Sequence, residues 1–375
     1  MGEVRIRNSF FALEPSEKTL LSVNSFGLLR LILAVTVLFQ HSLVLSGNGQ
    51  LVYFGYFNGA DLGSTGVAGF FAISGFLLSG SAQRLSSREF FIHRIFRLLP
   101  GLWFALVISA FVLVPLASYF GKPESEFKFF LGKESSLTYV LLNMVLVVFQ
   151  DSIGNVFSTN PYPLAVNGSL WTLAPEFICY VSLLGLAIFT RRKVVAQKFF
   201  LLIAIVLASV VWLISESSTS QVVSMVVHPA AGLGIAFATG SLLSYLVIER
   251  PYRPSPVLVI PLLVVWLLLG LSGPLAIISL AVIVVSLGLS LTHSAVARIG
   301  RKTDISYGIY LFHFPVIQAL ILCTAIDWTP AASLIVLPVL ALVLAAPLAW
   351  VSWRFVELPS IKIARNAKQL FRPRQ

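Results

Sequence analysis

Residues 28–42 read LLRLILAVTVLFQHS, an apolar run that carries Arg30 near one end and His41 eleven residues further on. Eleven helical steps of about 100° end roughly 20° past three turns, so both side chains share one face, ~16 Å apart along the axis. An ionisable group inside a membrane span costs about 2.5–3.5 kcal/mol on insertion scales, so such a pair faces a bundle interior or a wet cavity. Arg30 also has a plainer explanation, since an arginine near a helix end can snorkel to the headgroups. His41 lies too deep for that, and its plain alternative is a neutral imidazole hydrogen-bonded to a neighbouring helix.

Composition places the chain in a bilayer. With 57% hydrophobic and 11% charged residues and a mean hydropathy of +0.91, 375 residues fit an all-α, polytopic transmembrane bundle and no ordinary soluble domain. The formal charge of +11 needs no nucleic acid, because basic residues confined to loops on one membrane side follow from the rule that cytoplasmic loops are positive. Cys179 and Cys323 both sit in apolar runs; neither a disulfide framework nor a metal site is expected.

Three parts follow: a polar cytoplasmic segment at 1–25 without a signal-peptide core, a membrane domain at 26–359, and a basic cytoplasmic tail at 360–375. Spans are expected at about 26–45, 66–81, 99–119, 169–190, 199–214, 222–248, 257–271, 274–292, 305–324 and 332–353. The second is rich in small residues (GVAGFFAISGFLLSGS), which favour close helix packing. Residues 84–97 mix arginines with Phe90, Phe91, Ile92, Ile95 and Phe96, as a helix in the headgroup plane would. Pro100 is expected near the start of the third span.

Residues 137–150 are apolar but too few for a span of about 20, and charge decides their reading. With ten crossings and both termini cytoplasmic, all but Lys122, Lys128 and Lys133 of the 26 Lys and Arg residues fall inside, and these three stand beside Glu124, Glu126 and Glu134. A crossing at 137–150 would invert every later loop, so that segment is expected to be re-entrant or interfacial.

Several motifs stand together in order: Arg30 and His41; GVAGFFAISGFLLSG from Gly66; HRIFRLLP with Arg94 and Arg97; SLWTLAPEFICY from Ser169; SYGIYLFHFPV from Ser306; and Glu357 with Pro359. Over about 24–359 the chain resembles acyltransferase family 3, integral-membrane O-acyltransferases that modify extracytoplasmic glycans. Ala68 departs from the acidic residue that many members carry before the Phe-Phe pair, and Pro175-Glu176-Phe177 departs from a more usual Val-Glu-Glu, which leaves Glu176 alone as the inherited carboxylate. The chemistry is expected to lie wholly in the membrane.

The resemblance implies no bound cofactor or metal but an acyl-CoA cosubstrate, such as acetyl-CoA, and a glycan or lipid-linked sugar as acceptor. A bacterial cytoplasmic (inner) membrane is the implied location. Arg94 and Arg97, at i and i+3, offer planar forks suited to the donor's phosphates, with Arg30 extending the cluster; anionic lipid headgroups are the alternative ligand. Ser306, Tyr310 and His313 fall on one helix face at i, i+4 and i+7, with His313 ~14 Å beyond Asp304, close to the depth of His41 measured from Arg30. The expected catalytic set is His41, Glu176 and His313, supported by Ser74, Trp171, Tyr180, Ser306 and Tyr310. Glu176 could orient a histidine, hold an acceptor or pair with an arginine. His228-Pro229 is expected to mark a bend. A second class of function stays open, a proton-coupled transporter with His41, Glu176 and His313 as a relay.

Overall fold

The computed structural model describes residues 24–52, 61–121, 132–249, 254–269, 273–291, 298–300, 303–324 and 326–370. Among these the chain is helical, without strands, and nine helices are long and apolar enough to cross a membrane. It is a multi-pass integral membrane protein. Helix α1 is Phe26–Leu45, α2 Leu62–Arg84, α3 Ser87–Gly121, α4 Ser136–Asn143, α5 Leu173–Phe189 and α6 Val194–Glu216. Then come α7 His228–Glu249, α8 Pro256–Leu269, α9 Gly273–Ser290, α10 Ser306–Cys323, α11 Leu337–Ser352 and α12 Leu358–Leu370. The span expected at 257–271 is present as α8, 14 described residues, and its last two positions lie outside the described residues. Nine helices rather than ten therefore reach spanning length among the described residues.

The small residues of α2 do what their size allows. A Cβ on Gly75 would collide with the Phe237 carbonyl, and one on Gly240 with the Ala72 carbonyl, so α2 and α7 meet backbone to backbone. On its other side α2 packs against α1, where a Cβ on Gly66 would stand 2.8 Å from Val37 and one on Gly69 2.8 Å from Leu33. Helix α10 packs on α1 and α11 and completes the centre. By contrast α6 bares Phe199, Leu207 and Leu213, each more than half exposed, as a lipid-facing helix does.

Two elements differ from expectation. Residues 87–97 do not form a separate helix in the headgroup plane but the first turns of the 35-residue α3, with Phe90 fully buried. The start is set by a reciprocal cap, in which Glu89 N–H donates to Ser86 Oγ at 3.3 Å and Ser86 N–H to Glu89 Oε2 at 3.1 Å. Pro100 accordingly lies inside the helix rather than at its start. Helix α4, at about 12 Å, is far too short to cross, in line with the reading of 137–150. The chain turns at Met144; the Asn143 amide accepts from Phe149 and Gln150 N–H and donates to the Gln150 carbonyl. Ser136 Oγ donates to the Ala110 carbonyl and Trp103 Nε1 to the Met144 carbonyl, which ties this excursion to α3.

Candidate active site

The centre of the site is a pair of histidines on α1 and α10. His41 Nδ1 lies 2.7 Å from His313 Nε2, with the rings nearly parallel at 4.9 Å. Proton positions follow from the partners. His313 Nδ1 is 3.1 Å from the Ile309 carbonyl, which can only accept, so the proton is on Nδ1 and Nε2 is bare. The bare nitrogen takes the hydrogen of His41 Nδ1, with Ser169 Oγ as a second donor at 3.3 Å. His41 is thereby left with an unprotonated Nε2. His313 itself has no exposed surface, so the order from Ile309 through His313 to His41 is fixed by packing.

Local sequence explains why this corner is rigid. Pro315 lies inside α10 and has no N–H, so the carbonyl four residues earlier lacks its helical donor. That carbonyl, Leu311, receives the Asn167 amide at 2.8 Å, and Asn167 Oδ1 in turn accepts from Ser169 N–H at 3.1 Å. Tyr310 OH donates to the Ser169 carbonyl at 3.0 Å and lies 2.7 Å from Thr172 Oγ1. The turn before α5 is thus held against the middle of α10.

Two cavities approach this centre from opposite ends of the bundle. One, of about 440 Å³, is lined by Arg30, Ser74, Arg94, Arg97, Glu176, Tyr180, Asp304 and Ser306, and by Ile361, Ala364 and Arg365 of α12. The other, of about 480 Å³, is lined by Gln40, His41, Asp61, Ser64, Trp171, Trp212, Glu216, His228 and Trp266. They share Val67, Thr172 and Tyr310, which form a thin wall beside the histidines.

The arginines of the first cavity are not equivalent. Arg97 donates to Asp304 at 2.8 Å and to Glu357 at 3.1 Å, and Arg30 to Asp304 at 3.2 Å. Burial alone would raise the Asp304 carboxyl, but Arg97, Arg30 and the Ser306 hydroxyl outweigh it and hold the group below its ordinary 3.8. The link between α1, α3 and α10 is therefore present above that value and lost only as the pH falls through the lowered one. Ser352 Oγ donates to Glu357 Oε1, 2.9 Å away. Arg94, by contrast, forms no ion pair among the described residues, and its Nε is buried without a hydrogen-bond partner. An orphaned guanidinium donor on a cavity wall is a group that awaits an anion.

Of the residues expected from sequence, His41 and His313 meet, Tyr310 holds the Ser169 turn beside them, and Ser306 instead donates to Asp304 among the arginines. Arg30, Arg94, Arg97, Ser74, Glu176 and Tyr180 gather in the first cavity. Glu176 accepts from Tyr180 OH, so among the described groups it is His313, and not this carboxylate, that orients His41. Trp171 lines the second cavity, 40% exposed. Sequence reading passed over Asp304, Ser169, Asn167, Trp212 and Arg365. Asp304 alone carried a signal, as a lone acid after the basic Arg298, Arg301 and Lys302 and just before a span.

A helical membrane bundle with two cavities that share Val67, Thr172 and Tyr310 beside a buried histidine pair fits a group-transferring enzyme. Residues 23–354 match the family model Acyl_transf_3, an acyltransferase domain, and the chain belongs to acyltransferase family 3. It is 28% identical over 343 residues to the "O-acetyl transferase" of Shigella phage Sf6, covering 89% of this chain and 95% of that one. It is 29% identical over 379 residues to "Nodulation protein 10" of Rhizobium leguminosarum bv. viciae, covering 91% and 94%. No solved structure matches. Membership of an acyltransferase family decides against the proton-coupled transporter.

Proposed function

We propose that this acyltransferase moves an acetyl group from cytoplasmic acetyl-CoA to a hydroxyl of an extracytoplasmic glycan or lipid-linked sugar, in a bacterial cytoplasmic membrane. The observation that carries the reading is the pair of cavities that share Val67, Thr172 and Tyr310 beside the His41–His313 pair. The cationic cavity takes the donor, with its phosphates at Arg94 and its thioester directed toward the wall. The other takes the acceptor. Its hydroxyl oxygen attacks the thioester carbonyl, the C–O bond forms as the C–S bond breaks, and His41 Nε2 takes the hydroxyl proton and passes it to the leaving thiolate. Products are the O-acetyl ester and free CoA. The name of the phage relative, an O-acetyl transferase, supports the acetyl group.

Deleting the gene should remove acetyl ester from the cell-envelope glycan, seen by mass spectrometry as loss of the acetyl increment in the deletion strain against its parent. An unchanged glycan and lipid-linked sugar pool would end this reading. Sidedness has its own test. Single cysteines at Lys133 and Arg192 should react with a membrane-impermeant maleimide from opposite faces, the first outside and the second only after permeabilisation; labelling from one face would refute the charge-based topology.

A further inference from the structure

The second cavity has a wall that the transfer step does not use. There the Trp212 and His228 rings lie 4.4 Å apart at 39°, on the same cavity as His41. His228 Nδ1 is 3.2 Å from the Trp212 carbonyl, which can only accept, and 3.1 Å from Ser215 Oγ. Ser215 donates its own hydrogen back to the Trp212 carbonyl. Both contacts therefore place the His228 proton on Nδ1 and leave Nε2 as an acceptor. The indole is seated between backbones: a Cβ on Gly232 would come within 3.6 Å of its Nε1 edge and one on Gly273 within 3.7 Å of its far edge. Glu216 lines the same cavity. A bend in α7 explains none of this; a fixed imidazole acceptor, an indole held in a slot and a carboxylate on one wall are a recognition surface.

We propose that Trp212 and His228 form the recognition subsite for the acceptor, and that the acceptor portion seated there is a pyranose ring. A pyranose has an apolar C–H face, which an aromatic plane covers, and a rim of hydroxyls, which donate to His228 Nε2 and Glu216 while another reaches His41. The inference rests on the glycan-acceptor reading above and adds which residues select the ring.

The test separates transfer from donor chemistry. Acetyl ester in the envelope glycan is measured in the native strain complemented with each variant. Acceptor-free hydrolysis of acetyl-CoA, in which water takes the place of the acceptor hydroxyl and acetate and CoA thiol are released, is measured on the same proteins in proteoliposomes. His228→Ala and Trp212→Leu should lower glycan acetylation roughly tenfold or more, the loss of one good hydrogen bond or stacked face, while thiol release stays within about twofold of wild type. His228→Gln, which keeps an acceptor, and Trp212→Phe, which keeps a face, should each regain part of the transfer. Unchanged transfer in His228→Ala and Trp212→Leu would overturn the subsite. So would a parallel fall in both activities that neither conservative variant relieves, because that marks a packing role. Wild-type protein that neither releases thiol nor acetylates glycan would instead refute the acetyl-CoA reading itself.

Discussion

Replacing His41 with alanine is expected to lower acetyl transfer by about 10²- to 10⁴-fold, the range that a positioned general base contributes, while leaving acetyl-CoA binding and thermal stability near wild type. The expectation comes from the direction of the hydrogen bonds, because His41 gives its Nδ1 proton to His313 and has Nε2 left to accept one. His313 then acts by position. His313→Gln should retain part of the activity, since a glutamine oxygen can still accept from His41 Nδ1, whereas His313→Leu should lose nearly all of it. The readout is labelled acetyl transfer in native membranes beside calorimetric binding of acetyl-CoA. A stable, fully active His41→Ala protein would rule the mechanism out. If binding and folding vanished together with activity, His41 would be a packing residue.

The second large effect separates two arginines one helical turn apart. Arg97→Ala should destabilise the fold, because it strands the fully buried Glu357 and leaves Asp304 with Arg30 as its one cationic partner among the described residues, and breaking such a buried pair costs about 3–5 kcal/mol. Arg94→Ala should leave the melting temperature unchanged and weaken acetyl-CoA binding about ten- to a hundredfold, the loss of a charge-assisted hydrogen bond. Arg94→Lys should recover part, since lysine keeps the charge and loses the fork. Unchanged CoA binding in Arg94→Ala would assign that guanidinium to lipid headgroups, and an Arg97→Ala protein as stable as wild type would remove the structural role given to its carboxylate partners.

In the sequence Arg94 and Arg97 look alike. A spacing of i and i+3 puts both on one helix face, but it carries no information on what that face meets, and Asp304 and Glu357 are more than 200 residues away from Arg97 in the chain. The histidines were more legible. Each belongs to an otherwise apolar span, and depth counted from Arg30 and Asp304 puts them at one level because those two residues pair and α1 packs along α10. Glu176 has no such reference point in the sequence. The turn at Gly168–Thr172 is drawn inward to Tyr310, so α5 starts at mid-depth and its carboxylate joins the arginines. The start of α3 was written in the sequence as Ser86 followed three residues later by Glu89, a cap signal obscured by the basic and aromatic residues around it. Trp212 had no signal of its own, and His228 read with Pro229 as a bend, because nothing in the sequence joins two residues on separate helices.

The wall of Val67, Thr172 and Tyr310 also has an electrical meaning. Where two polar recesses enter a bilayer from opposite ends, the transmembrane potential falls mainly across the short insulating stretch between them and not evenly over the whole thickness. A charged group carried through that stretch would do work of about 2.3 kcal/mol per charge for each 100 mV. An acetyl group is neutral and does none. In the proposed reaction the one uncharged fragment of the donor would pass the steepest part of the field while the anionic remainder stayed at Arg94, with Tyr310 as the dielectric plug between the two cavities.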